Sequence, residues 1–125
     1  MKKIISTQKA PRAIGPYSQA VKANGFVFVS GQLPIIPETG AFPEGGIKEQ
    51  TRKSLENLQA ILEAENLSFD HVVRTGVFLK NMEDFAAMNE IYSEFFTEKF
   101  PARACVEVAR LPKDALVEIE LTAVV

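Results

Sequence analysis

The sequence has few cysteine and histidine residues and no long apolar segment, features that would assign it to a disulfide-rich, zinc-binding or membrane class of protein. It contains one cysteine and one histidine among 125 residues, so no disulfide can form within the chain and a zinc site is not expected. No apolar run approaches the ~20 residues that a transmembrane helix requires. The N-terminus turns polar at Ser6 and has no signal-peptide core. We therefore expect a cytoplasmic protein that does not enter a membrane.

Positive charge is not in excess either. The chain has 14 lysine and arginine residues against 16 aspartate and glutamate residues, which gives a formal net charge of −2. Dedicated nucleic-acid-binding domains present a basic face to the phosphates, so nucleic acid is not an expected partner. Hydrophobic residues make up 46% of the chain, enough for a folded core within one domain that spans residues 1–125. The composition favours a single globular domain.

The spacing of apolar residues changes along the chain in an order typical of the α+β class. Short strands are predicted at Lys3-Ser6 and on both sides of Asn24-Gly25, a pair that favours a tight hairpin turn. A helical period predicts one helix from Ile47 to near Asn66 and a second helix after Asn81, which can cap it. A strand over 71–80 lies between the helices, and two more strands follow Pro101. We expect a mixed sheet of about six strands with both helices on one face.

Two helices on one face would leave the other face of the sheet uncovered. The residues of the second helix predicted to face inward are Phe85, Met88, Tyr92, Phe95 and Phe96. The strand at 26–29 is apolar on both faces, and so is much of the strand at 71–80. The uncovered face would therefore expose a large apolar surface, which is typical of an interface. We expect the chain to self-associate through this face.

The last two strands carry charged residues at alternating positions. In the first of them, alternation places Arg103 and Cys105 on one side and small apolar residues on the other. In the second, Glu118 and Glu120 face together, opposite an apolar row. If the strands belong to one sheet, the arginine and the carboxylates share a face. Arginine can bind a carboxylate through two hydrogen bonds and glutamate can transfer a proton, so this arrangement predicts a site for a small anionic substrate. The alternative is a surface strand with solvated charges.

Four blocks of the sequence resemble those of the RidA (YjgF) family of reactive-intermediate deaminases. They are Ala13-Ile14-Gly15-Pro16-Tyr17-Ser18-Gln19, Ser30-Gly31-Gln32-Leu33-Pro34, Phe85-Ala86-Ala87-Met88-Asn89-Glu90-Ile91-Tyr92, and the stretch from Pro101-Ala102-Arg103 through Val117-Glu118-Ile119-Glu120. The blocks have the order and spacing of the family and cover essentially the whole chain. The resemblance implies a chorismate-mutase-like α+β fold and a homotrimer with ligand sites between subunits.

The resemblance also implies an activity and roles for individual residues. Family members hydrolyse 2-iminobutanoate and 2-iminopropanoate to 2-oxo acids and ammonia, and these imines are tautomers of enamines released by pyridoxal-phosphate-dependent dehydratases. By resemblance, Arg103 would bind the substrate carboxylate and Glu118 would orient or activate the attacking water. The residues implied to line the pocket are Tyr17, Ser30, Gly31, Asn89 and Cys105. Because a protonated imine is already electrophilic, the reaction needs no metal, cofactor or covalent nucleophile.

Alternatives to these roles are open at this point. Glu118 and Glu120 lie two residues apart on a strand, so geometry alone cannot choose between them, and the family pattern favours Glu118. Glu118 could instead form an ion pair with Arg103 or another cation. Cys105 could be a nucleophile, although no histidine is near it in the sequence, and Asn89 could form a core hydrogen bond. The alternative functions are a noncatalytic or regulatory trimer that binds carboxylates, and an RNA-directed endoribonuclease or translation inhibitor, which the acidic balance disfavours.

Overall fold

The computed structural model describes all 125 residues and contains one six-stranded sheet and two α-helices. The strands are β1 (Lys3–Ile5), β2 (Ala20–Ala23), β3 (Phe26–Gln32), β4 (Val72–Leu79), β5 (Ala102–Glu107) and β6 (Val117–Val124), and the helices are α1 (Ile47–Glu63) and α2 (Phe85–Phe95). The strands lie side by side in the order β1-β2-β3-β6-β4-β5. The β4–β5 pair is parallel and the other neighbouring pairs are antiparallel. The predicted α+β class and mixed sheet are confirmed.

Local sequence accounts for several of the turns. Asn24 (φ 53°) and Gly25 (φ 81°) both have positive φ, as a tight turn between β2 and β3 requires. The Asn81 side chain accepts a 2.9 Å hydrogen bond from the backbone N–H of Glu83. Asn81 is therefore a cap as predicted, but of the short 3₁₀ turn Met82–Asp84 that leads into α2.

The end of α1 lies slightly before the predicted position. The helix ends at Glu63 rather than near Asn66. Asn66 has a φ of 58°, and the N–H of Leu67 donates to the carbonyl of Leu62. These are features of a left-handed helix-terminating turn. Asn66 thus closes the helix instead of belonging to it.

The core lies between the two helices and one face of the sheet. Thr51, Leu55, Leu58 and Leu62 of α1 are fully buried, together with alternate residues of β6, as the helical and two-residue periods predict. The prediction for Phe85 is wrong, because this side chain is 38% exposed. It lies in the first turn of α2, above the edge strand β5, where it faces a charged side chain rather than the core.

The opposite face of the sheet carries no helix. Phe26 and Phe28 of β3 are exposed on it and lie 6.0 Å apart between ring centres. Val106 of β5 is exposed as well. This apolar face is the one expected from the sequence. Neither helix has the length and the apolar character that would let it cross a membrane.

Candidate active site

Arg103 lies on the helix-facing side of β5, an edge strand. Its Nη1 donates a 2.7 Å hydrogen bond to Oδ1 of Asn89 on α2. Its guanidinium carbon lies 4.7 Å from the centre of the Tyr92 ring and 5.6 Å from that of Phe85. None of the ion pairs in the chain includes Arg103. The guanidinium therefore keeps its charge without a carboxylate partner and has further N–H donors for an anion.

Asn89 and Cys105 flank this arginine in different ways. A shallow cavity of about 330 Å³ beside Arg103 includes Asn89 in its wall, so the Asn89 amide serves the arginine rather than the core. Cys105 packs instead against the margin of the core. Burial raises the pKa of the Cys105 thiol, and the nearby Arg103 charge only partly opposes this. A raised pKa reduces the thiolate fraction, which argues against Cys105 as a nucleophile.

Glu118 lies on the other face of the sheet, in a larger cavity. This cavity has a volume of about 890 Å³. Four of the predicted site residues line it together, namely Tyr17, Ser30, Gly31 and Glu118, and Glu120 contributes to the same wall. Tyr17 is held in its loop because its hydroxyl accepts a 3.3 Å hydrogen bond from the N–H of Ile14. The cavity is open to solvent on the helix-free face.

An irregularity in β3 places Ser30 and Gly31 beside Glu118. The pairing of β3 with β6 shifts register between Val29 and Gln32, as at a β-bulge. The Ser30 hydroxyl donates a 2.6 Å hydrogen bond to the carbonyl of Ser18, and the Ser30 N–H donates to the carbonyl of Gln19 at 2.9 Å. These bonds fix the bulge against the segment that follows Tyr17.

Glycines on the flanking strands separate the two carboxylates of β6. A Cβ atom built at Gly31 of β3 would lie 2.5 Å from Oε2 of Glu118, and one at Gly76 of β4 would lie 2.9 Å from Oε2 of Glu120. Both distances are shorter than real carbon contacts, so an alanine at either position would require the facing carboxylate to move. Glu118 leans over β3 at Gly31, whereas Glu120 leans over β4 at Gly76. The structure thus distinguishes two side chains that strand alternation alone leaves equivalent.

The Glu118 carboxylate has the properties of a proton acceptor rather than of an ion-pair partner. Partial burial raises its pKa, and the neighbouring Glu120 charge raises it further. No cation pairs with Glu118 in the chain. The alternative of a structural ion pair with Arg103 is therefore absent from the single chain. A carboxylate with a raised pKa is better matched to general acid–base work near neutral pH.

The expectation that Arg103 and Glu118 share a sheet face is wrong. Arg103 is the neighbour of Thr75 across the β4–β5 pair, and Thr75 is the neighbour of Leu121 across the β4–β6 pair. Arg103 therefore shares its face with buried Leu121. Glu118 is instead the neighbour of Phe78 across the β4–β6 pair and lies on the opposite, helix-free face. Alternation within each strand is as predicted, but the phase between β5 and β6 depends on the register of the intervening β4.

No group of three or more histidine, cysteine, aspartate or glutamate side chains is placed to hold a metal ion. The one histidine, His71, has a local role. Its Nδ1 accepts a 3.1 Å hydrogen bond from the backbone N–H of Ser68. This bond helps to cap the 3₁₀ turn before β4.

Nearly the whole chain matches one family of proteins. Residues 7–125 match the family model of Endoribonuclease L-PSP, which is the RidA (YjgF) family. The chain belongs to this family. The resemblance seen in the four sequence blocks is thereby confirmed.

Relatives of this RidA-family chain cover it almost completely. A 2-iminobutanoate/2-iminopropanoate deaminase from Salmonella typhimurium is 53% identical over 127 residues, covering 99% of this chain and 98% of the relative. A RutC family protein from Pyrococcus horikoshii is 57% identical over 98% of each chain. The crystal structure of Escherichia coli TdcF with bound serine matches with a TM-score of 0.94 and 48% identity, covering 98% of each chain. The fold is that of the RidA family.

Some residues near Arg103 and Glu118 are not predicted as site residues by the sequence. The rings of Phe85 and Tyr92 both lie beside the Arg103 guanidinium, and Tyr92 is in addition buried in the core as predicted. Their spacing of four and three residues from Asn89 places them on the same helix face as this predicted site residue, and this spacing could have indicated their position. Arg12 lines the Glu118 cavity from a loop, and Lys113 lines it from the short 3₁₀ turn Pro112–Asp114. Neither lies in a periodic segment, so the sequence carried no signal for them.

Proposed function

We propose that this RidA-family chain is a hydrolytic deaminase for 2-imino acids and their enamine tautomers. The substrates would be 2-iminobutanoate and 2-iminopropanoate, and the products the corresponding 2-oxo acids and ammonia. One observation carries the proposal: Glu118, a half-buried carboxylate without a cation partner, lies over Gly31 and lines one cavity with Ser30 and Tyr17. The Salmonella relative that bears the deaminase name supports the same reaction.

We also propose that the complete site lies between two copies of the chain. Arg103 and Glu118 lie on opposite faces of one sheet, so a substrate of a few atoms cannot contact both within one chain. Arg103 is on the edge strand, and the apolar face around the Glu118 cavity is uncovered. Joining two different surfaces is a head-to-tail contact, which forms a ring when the rotation between copies closes and a filament when it does not. A homotrimer with three such sites satisfies this geometry.

The assembly has a direct test. Light scattering at micromolar concentration should give the mass of three chains of 13.8 kDa. A clean monomer mass under these conditions would remove the basis for a shared site. Phe28→Lys should disperse the trimer, because it places a charge on the exposed apolar face, whereas Ala64→Lys, at an exposed position just after α1, should not.

In the proposed reaction, Arg103 of one copy binds the substrate carboxylate through two hydrogen bonds. Glu118 of the next copy accepts a proton from water as the water oxygen bonds to the electrophilic C2 of the protonated imine. The carbinolamine that forms then receives this proton on its nitrogen, and the C–N bond breaks. The remaining hydroxyl proton leaves with ammonia as ammonium, so the 2-oxo acid is formed without another reactant. TdcF with its bound serine supports a site for small carboxylates.

A coupled assay tests the activity. A dehydratase acting on its amino acid generates the imine, and semicarbazide traps what has not been hydrolysed. Wild-type protein should lower the rate of semicarbazone formation in proportion to its concentration, and Arg103→Ala should lose most of this effect at low substrate. If wild-type protein in its assembled form leaves the trapping rate unchanged, the deaminase proposal is wrong.

The family description names a second candidate, endoribonuclease activity. The net charge of −2 does not favour binding to RNA phosphates. A ribonuclease assay with wild-type protein and Glu118→Gln, purified in the same way, distinguishes the two functions. Cleavage that Glu118→Gln abolishes would support the RNA activity at this same cavity, whereas equal cleavage by both proteins would indicate a contaminant.

A further inference from the structure

One face of α2 surrounds the Arg103 guanidinium with neutral groups. Phe85, Asn89 and Tyr92 follow one another at i, i+4 and i+7, so their side chains lie in one row along the helix. Both rings lie within 6 Å of the guanidinium carbon, and Asn89 accepts the hydrogen bond from Nη1. The face of an aromatic ring attracts a cation without neutralising it. A carboxylate at the same place would compete with an anionic ligand for the arginine.

The Tyr92 ring is itself fixed at its far end. Its hydroxyl oxygen lies 2.8 Å from Oγ1 of Thr75, and both residues are buried. Thr75 is the neighbour of Arg103 in the parallel pairing of β4 with β5. Phe96 packs against the ring at 4.5 Å between centres. Arg103 is therefore linked to Tyr92 in two ways: directly, through its guanidinium, and indirectly, because its strand neighbour Thr75 contacts the Tyr92 hydroxyl.

We propose that Tyr92 is a positioning residue, which, anchored by Thr75, orients the Arg103 guanidinium so that its free N–H groups face the ligand cleft. Arg103 needs such support because it is an exposed residue on an edge strand, where a long side chain would otherwise sample many rotamers. The ligand part of this inference rests on the proposed function. The orienting contact itself does not.

The first test measures binding of 2-oxobutanoate to the assembled protein by calorimetry. Tyr92→Leu removes the ring and should raise Kd by about 2- to 30-fold, the range of a cation–π contact. Tyr92→Phe keeps the ring, loses the Thr75 bond and should have a smaller effect. Ile91→Ala is the control, because it removes buried volume from the same helix without taking a group from Arg103. Its Kd should stay within about twofold of wild type.

A double variant separates positioning from general structural damage. If Tyr92 acts through Arg103, adding Tyr92→Leu to Arg103→Ala should cause no further loss of binding. If the losses multiply instead, the positioning role is contradicted. Should Tyr92→Leu fail to fold, Thr75→Val removes the anchor while keeping the shape of the side chain. Thr75→Val should then weaken binding by a few-fold, about the value of one hydrogen bond, and unchanged binding would count against the anchor.

A second readout requires no ligand. Arginine-selective NMR measures rotation of the guanidinium through exchange between the two Nη groups. This exchange should be slow for Arg103 in the wild type, faster in Tyr92→Leu and unchanged in Ile91→Ala. Equal exchange in wild type and Tyr92→Leu would overturn the proposal. Absence of any 2-oxobutanoate binding by wild type, with the NMR effect present, would contradict the proposed function and leave the positioning role supported.

Discussion

The Glu118 carboxylate lies against the backbone of Gly31, so closely that a Cβ atom there would stand 2.5 Å from Oε2. The proposed base can occupy this position only because Gly31 has a hydrogen atom in place of a Cβ atom. The contact joins two neighbouring strands, because Gly31 belongs to the bulge of β3 and Glu118 to β6. The bulge and the carboxylate form one unit, which explains why they line the same cavity.

Substituting Gly31 should therefore impair catalysis more than folding. Gly31→Ala would force the Glu118 side chain away from the bulge, and a displacement of about 1 Å can cost roughly 10²-fold in rate. We expect kcat to fall on that scale in a protein that keeps its assembly. Gly46→Ala is the matched control, because no atom lies within 4 Å of a Cβ there. Near-normal kcat in Gly31→Ala would show that Glu118 need not lie where the structure has it.

Loss of the guanidinium should act mainly on KM. Arg103→Ala removes a charge-assisted bidentate contact, and we expect KM to rise by about 10- to 150-fold. The loss in kcat should be smaller, since the carboxylate is held in the ground state and the transition state alike. Arg103→Lys should restore only part of the affinity, because a point charge cannot reproduce the planar fork. Arg52→Ala, which breaks an exposed ion pair with Glu94, is the control and should leave KM unchanged.

The two glutamates of β6 should differ sharply in steady-state kinetics. Glu118→Gln keeps the size of the side chain and removes the base, so kcat should fall by about 10² to 10⁴-fold while a 2-oxo acid still binds. Glu120→Gln leaves the base in place and should be mild. The reverse pattern, with Glu120→Gln inactive and Glu118→Gln active, would mean that the proposed roles are exchanged.

The pH dependence of kcat/KM should report the environment of Glu118. The base must be deprotonated, so activity falls as pH drops through its pKa. Burial and the Glu120 charge raise that pKa, so the fall in activity on the acid side of the pH profile should lie at higher pH than for an unperturbed glutamate. Glu120→Gln removes the negative neighbour and should move this fall to lower pH. If the acid side of the pH profile of Glu120→Gln stays in place or moves to higher pH, the Glu120 charge does not act on the base.

Much of the fold could be predicted from short stretches of sequence, because turn residues and the spacing of apolar residues determine the turns and the buried side of each helix or strand. The Asn24-Gly25 turn and the buried row of α1 are where the sequence places them. The phase between β5 and β6 could not be predicted, since it depends on a third strand that pairs with both. Phe85 was misplaced for a related reason: a helical period cannot show where a helix extends above the edge of a sheet. Family resemblance named Gly31 as a site residue, but only the fold reveals its contact with Glu118.

A site that takes Arg103 from one copy and Glu118 from the next can be tested by complementation. Arg103→Ala and Glu118→Gln proteins, each with a kcat/KM well below that of the wild type, are mixed in equal amounts, unfolded together and refolded. In a head-to-tail trimer, about one quarter of the sites should regain both residues. We therefore expect kcat/KM to recover to about a quarter of the wild-type value, whereas homogeneous refolded controls keep their low values. If the mixture shows no more activity than the sum of its two components, the site is not shared between copies and lies within one chain.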